Sequence, residues 1–285
     1  MKYSRVVYIT AYFLAGLLTC QSSLAFDLFI QSDYKNMPEF SKYGFKCSEI
    51  IYEFEFYGKN EPHNRFPRIS QLNSIMKGLN DSKLNCSFVV IDIETWLRRW
   101  RLKTPFARRE ILGRYERIAE EFKQGVPNVR LGFYGLVPAD LPRRDGVSYS
   151  VSKISKWQNE NEARKNVVSK VDFFFPSFYT HTQSIEEWEA YAKLMINKAR
   201  ELDPEKKIIP YIWPKYHQAY RRKSGLKELY IPKEFWRAQL EFLYKNVDGI
   251  VIWDSGNKKK NWDEKAGWWK ETLSFLVDKG FMNSE

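Results

Sequence analysis

The sequence predicts an α/β fold in a single domain, a TIM-like (β/α) barrel of about seven strands. Three observations carry this. Short apolar or β-rich runs alternate with amphipathic stretches of helical period along residues 26–285. Neither a Gly/Ser-rich or Pro-rich linker nor a fixed-period repeat interrupts them, so a domain boundary has no place to sit. No G-x-G-x-x-G or G-x-x-x-x-G-K-[ST] opens a helix, which removes the main support for a doubly wound, nucleotide-binding sheet.

The expected strands are residues 26–30, 50–56, 87–91, 129–134, 171–175, 207–212 and 249–253, each short and apolar enough to be buried in a parallel sheet. Between them, residues 69–79, 107–124, 152–169, 184–202, 232–245 and 268–279 place apolar side chains at helical spacing and are expected as crossover helices. One unit carries its own punctuation: Thr182-Gln183-Ser184 reads as a helix start and Asp203-Pro204 as its stop. In a barrel of this kind, function collects at the C-terminal ends of the strands.

Residues 1–25 read as a signal peptide ahead of that domain. Lys2 and Arg5 form a positive start, residues 6–19 are apolar, and Ser23-Leu24-Ala25 is a small-x-small cleavage site before Phe26. The uncharged run is shorter than the ~20 residues a membrane span needs. The expected location is therefore secreted or periplasmic. Leu17-Leu18-Thr19-Cys20 loosely resembles a lipoprotein box, so an outer-surface lipoprotein held through Cys20 is the alternative, and the only route to a membrane.

Lys plus Arg number 46 against 35 Asp plus Glu, a formal charge of +11 that falls by two to +9 when Lys2 and Arg5 are removed. With 44% hydrophobic and 28% charged residues, the composition excludes a disordered, collagenous or polytopic membrane chain. The basic excess belongs to the folded domain and calls for an acidic partner. Export and the lack of a recognition motif argue against nucleic acid. Cys20, Cys47 and Cys86 have no zinc spacing, and no metal or cofactor is expected. Once exported, Cys47 and Cys86 either pair or remain two buried thiols.

The chemistry centres on Ser87-Phe88-Val89-Val90-Ile91-Asp92-Ile93-Glu94-Thr95-Trp96, an apolar strand ending in two acids spaced i and i+2. Strand pleating would put both on one face. Crowded in a partly desolvated barrel mouth, at least one would keep its proton near neutral pH, as a general acid must. The bland alternative for a lone Asp-x-Glu is a turn starter followed by an ion pair from Glu94 to Arg98, Arg99 or Arg101. Three other strand ends shift the balance: Pro176-Ser177-Phe178-Tyr179, Pro210-Tyr211-Ile212-Trp213 and Ile252-Trp253-Asp254-Ser255. Aromatic faces stack on sugar rings and phenol hydroxyls bond to their polar groups. The joint pattern favours a glycosidase. His63, His181 and His217 have no nucleophile–base or zinc spacing and no catalytic role is assigned to them, although His217 stands where it would contact substrate.

These blocks resemble the hyaluronidase family of glycoside hydrolases. Val90-Ile91-Asp92-Ile93-Glu94-Thr95-Trp96 is similar to that family's V-I-D-x-E-x-W acid strand. Phe175-Pro176-Ser177-Phe178-Tyr179 is similar to its L-P-S-x-Y, the segment from Ile208 through Tyr216 to its V-L-P-Y-x-W-x-K-Y, and Asp248-Gly249-Ile250-Val251-Ile252-Trp253 to its D-G-x-x-I-W. Residues 66–257 carry the resemblance, in the family's order. It implies an irregular seven-stranded barrel and a retaining endo-β-N-acetylhexosaminidase. In such an enzyme Glu94 protonates the leaving oxygen, Asp92 orients the acetamido group, and that group's oxygen attacks the anomeric carbon. Tyr134 falls in its aromatic fourth strand. The substrate-binding candidates are Tyr134, Tyr179, Tyr211, Trp213, Trp253 and Asp254.

Asp254 and Gly256 depart from the small and polar residues that the family has after the Trp. The basic runs Arg98-Arg99-Trp100-Arg101, Arg108-Arg109, Arg143-Arg144, Arg221-Arg222-Lys223 and Lys258-Lys259-Lys260 would attract a polyanionic polysaccharide such as a glycosaminoglycan. Two alternatives stand beside this expectation: a chitinase-like or endo-N-acetylglucosaminidase-like enzyme, and an inactive glycan-binding barrel. The former usually has a further Asp where this chain has Val90.

Overall fold

A computed structural model describes residues 26–58, 61–82, 86–141, 149–218, 225–254 and 258–283. The expected signal peptide and Cys20 lie outside the described residues, as do Arg143, Arg144, Arg221, Arg222 and Lys223. The strands are β1 (Asp27–Ser32), β2 (Glu49–Tyr52), β3 (Val89–Asp92), β4 (Leu131–Phe133), β5 (Phe173–Phe174), β6 (Lys207–Ile208), β7 (Tyr211–Ile212) and β8 (Gly249–Asp254). The helices are α1 (Ile69–Asp81), α2 (Pro105–Gly125), α3 (Val151–Ala163), α4 (Lys165–Lys170), α5 (Ile185–Leu202), α6 (Lys233–Asn246) and α7 (Gly267–Asp278).

Local chemistry accounts for the boundaries. The Thr104 side chain accepts from Ala107 N at 3.2 Å, and Pro105 begins α2 where its missing N–H costs nothing. Ser184 caps α5 through Glu187 N at 3.1 Å, with Glu186 and Glu187 in the positive first turn. The stretch expected as one helix over 152–169 is two, α3 and α4. They part at Arg164, which is buried and donates to Leu136 O at 2.5 Å. The sixth expected strand is also two, because Pro210 has no N–H for a ladder. β6 pairs with β5, while β7 pairs with β8.

All strand pairs are parallel, but they form three sheets rather than the one continuous barrel ladder expected: β1–β8–β7, β2–β3–β4 and β5–β6. The seams are isolated parallel bridges, Phe29 to Lys46, Tyr134 to Phe175 and Ser177 to Tyr211. Short strands and prolines explain them, since Pro176 and Pro210 flank one seam and offer no donor. Another seam is drawn tight at Gly132, where a Cβ would stand 2.6 Å from Phe173 O. The sheets nevertheless share an interior. Phe29, Phe88, Val90, Phe173, Phe175, Ile209, Tyr211 and Val251 pack as one buried cluster, and a larger cluster lies between sheets and helices. Cys47 and Cys86, just before β2 and β3, are joined in a disulfide with Cα atoms 4.6 Å apart.

Candidate active site

β3 delivers the acid pair differently from a pleated strand. The strand ends at Asp92, and Glu94 (φ −92°, ψ −26°) already opens a 3-10 turn over Thr95–Leu97. Ile93 between them is buried, its carbonyl taking the Tyr115 hydroxyl at 2.5 Å. Both acids still reach the same space. They line a cavity of about 360 Å³ with Tyr134, Tyr179, Tyr211, Trp213, His217 and Trp253. They also line an adjoining one of about 600 Å³ with Tyr52, Glu53, Arg98, Asp140, His181 and His217. Asp92, Glu94, Tyr134 and His217 belong to both, so one groove passes over the carboxylates.

The carboxyls are held protonated above their ordinary range. Burial, then the charges of Glu94 and Glu53, push Asp92 up to about 7. Its Oδ1 is buried with no hydrogen-bond partner among the described residues. Burial and then Glu53 also raise Glu94, with Arg98 opposing and Asp140 adding to the rise. Glu94 forms no ion pair among the described residues, so the bland alternative to Arg98 or Arg99 does not describe it.

Around the pair, Tyr134 is hydrogen-bonded to Tyr179 and Ser177, and burial pushes its phenol up. Tyr211 donates to Gln31 Oε1 at 2.9 Å. Tyr179 stacks on Trp253 at 5.7 Å, Trp213 meets Trp253 edge-on at 5.2 Å, and Trp253 donates to the Tyr52 hydroxyl at 3.1 Å. Five of the six substrate-binding candidates thus share one wall. Asp254 does not: it is fully buried and lines neither cavity. Its carboxylate takes hydrogen bonds from Trp213 Nε1 at 3.1 Å and Tyr34 at 2.9 Å and an ion pair from Lys215. The expectation that it touches substrate is corrected to a support behind Trp213.

Around the acid pair stand Glu53 and Asp140, and among the described residues of the basic runs only Arg98 lines these two cavities. Arg99 lines a neighbouring cavity, and Arg108 one beyond it. Sequence reasoning missed Tyr52, Glu53, Asp140 and His181. For Tyr52 and Glu53 a signal existed, because they end the second strand run; taking residues 50–56 as strand throughout hid the turn at 53–56.

The protein is thus an α/β fold with a polar, aromatic-walled groove at the C-terminal ends of its parallel strands. Its fold is similar to that of bee venom hyaluronidase. With that enzyme in complex with a hyaluronic acid tetramer the TM-score is 0.54 at 14% identity, covering 91% of this chain and 97% of the other. With the monoclinic crystal structure the TM-score is 0.53 at 14% identity, covering 89% and 97%. At this identity the likeness is one of fold. No family model matches the chain, and no curated protein matches it by sequence.

Proposed function

We propose that the protein is a glycoside hydrolase, an exported hyaluronidase-like endo-β-N-acetylhexosaminidase that works with retention. The observation that carries this is the Asp92–Glu94 pair, both carboxyls raised, at the point common to two cavities walled by tyrosine and tryptophan. Glu94, the more exposed of the two, gives its proton to the leaving oxygen as the acetamide oxygen of the substrate attacks the anomeric carbon. It then takes a proton from the water that opens the cyclic intermediate. Asp92 meets the acetamido group with its unpartnered oxygen, between Tyr134 and Tyr211. Neutral phenols aimed at the developing charge lower the barrier further. No second carboxylate nucleophile is required.

For the substrate, Arg98 at the groove and Arg99 and Arg108 beside it support an acidic N-acetylhexosamine polymer. The acids Glu53 and Asp140 favour the second reading, a neutral chitin-type glycan. Export is supported by the Cys47–Cys86 disulfide, which persists in oxidising compartments; lipid anchoring through Cys20 is the alternative form of the same location.

The test is incubation with hyaluronan, chondroitin and chito-oligosaccharides beside Glu94→Gln. Wild type is expected to shorten at least one of them, and the variant to do so ~100-fold more slowly, the scale of losing a general acid. Equal rates would remove Glu94 from the role. Binding without cleavage by wild type would leave an inactive glycan-binding protein.

A further inference from the structure

Glu53 lines the larger cavity beside Asp92 and Glu94 but has no part in the proposed reaction. It follows β2 in a short 3-10 turn, Glu53–Phe56, whose start is locked by Tyr52 N donating to Glu55 Oε1 at 2.8 Å. Phe56 is buried beneath it, and Gln71 Nε2 of α1 donates to Glu55 O at 2.8 Å. From this fixed turn the Glu53 side chain, 17% exposed, crosses to β3. Its Oε2 accepts from Glu94 N at 3.1 Å and Thr95 N at 3.0 Å, and its Oε1 faces His63 Nδ1 at 3.0 Å. His63 is held in turn: its ring stacks on Tyr57 at 4.5 Å, and its carbonyl takes the Trp96 indole N–H at 2.9 Å. An acceptor-only carboxylate suits two backbone donors and an imidazole better than a neutral side chain does.

We propose that Glu53 is a positioning residue for Glu94: its carboxylate pins the turn that carries the acid and sets a second negative charge behind it. The two effects come from one side chain but are separable. Pinning uses one oxygen on two N–H groups, which fixes where the Glu94 carboxyl enters the groove. The charge opposes ionisation of Glu94 and, less directly, of Asp92. The other charged or titratable groups bearing on this corner are His63, Arg98 on the following turn, Asp140 beyond β4, Tyr57, Tyr115 and Tyr134, with Arg114 of α2 near Tyr57. Arg98 acts against Glu53 at Glu94, and Asp140 acts with it. Calling this a device for catalysis rests on Glu94 being the general acid of a glycosidase; the contact itself does not.

Two variants divide the effects. Glu53→Gln keeps an oxygen for both N–H groups and loses the charge, whereas Glu53→Asp keeps the charge and withdraws it by one methylene from Glu94 N and Thr95 N. With glutamate carboxyls labelled by carbon-13 and Glu94 assigned through Glu94→Gln, the Glu94 titration midpoint is expected to fall by about one pH unit in Glu53→Gln and to move little in Glu53→Asp. The alkaline limb of glycan cleavage would follow, so that Glu53→Gln at the wild-type half-activity pH is about fivefold slower. Glu53→Asp would lower kcat about tenfold across the pH range with KM changed far less. An unmoved midpoint in folded Glu53→Gln overturns the charge, and a wild-type kcat in folded Glu53→Asp overturns the pinning. The titration reads Glu94 whether or not any glycan is cleaved. A shifted midpoint in a protein with no glycosidase activity therefore supports Glu53's placement while rejecting the proposed enzyme.

Discussion

Lys215 is ion-paired with the fully buried carboxylate of Asp254, its ammonium facing the rings of Tyr230 at 4.9 Å, Trp213 at 5.9 Å and Tyr34 at 6.0 Å. The pair ties the end of β8 to the chain after β7 and, through Asp254 Oδ1, fixes the Trp213 indole in the groove wall.

Removing one partner of such a pair leaves a charge without water or counterion, a loss of about 3–5 kcal/mol. Lys215→Met is expected to cost that much in urea unfolding, and Lys215→Met with Asp254→Asn distinctly less, because no bare charge is then buried. Equal losses in single and double variants would show that the carboxylate is not the source of the cost.

The place of Asp254 is set by residues distant in the sequence. As the residue after Trp253 at a strand end it has the position of a ligand contact, and only the approach of Lys215 and Tyr34, 39 and 220 residues away, turns it inward. Asp92 and Glu94 were legible because an apolar run ending in acids is a local pattern. So were most helices, through apolar residues at helical spacing, and α5 also through its start at Ser184. The break of the sixth strand at Pro210 was written in one residue. The split into three sheets was not, since it depends on where neighbouring strands diverge. The position of Glu53 at the end of the second strand run was legible, but its contact was not, because its partners are backbone N–H groups 41 and 42 residues on.

The Cys47–Cys86 disulfide closes a loop across a sequence separation of 39 and sits at the starts of β2 and β3, whereas Asp92 and Glu94 leave the far end of β3. Cross-linking a loop of this size is worth roughly 2–4 kcal/mol, mainly by restricting the unfolded chain. The double variant Cys47→Ala, Cys86→Ala is therefore expected to unfold at lower temperature while glycan binding at 25 °C stays within about twofold of wild type. Unchanged thermal unfolding would mean that the bond does not form in the native protein.

Asp92 ties the site to the stability of the fold. Its carboxyl titrates at about 7 in the folded chain against an ordinary value of 3.8. Well below pH 3.8 both states are protonated there and the group confers no slope. As pH rises toward about 7 the unfolded chain releases this proton while the folded chain retains it, so stability falls across that window and levels above it. Glu94 is raised as well and adds to the same slope. Asp27 works the other way: burial pulls it up, but Lys46 and Lys207 outweigh that and hold it low. The clean quantity is thus the difference between wild type and Asp92→Asn in thermal midpoint, measured from pH 4 to pH 8. The variant is expected to gain on wild type steadily through the window and to hold its gain above about pH 7. A constant difference would mean that Asp92 is as easily ionised in the folded protein as in the unfolded chain, and that the groove does not withhold water from it.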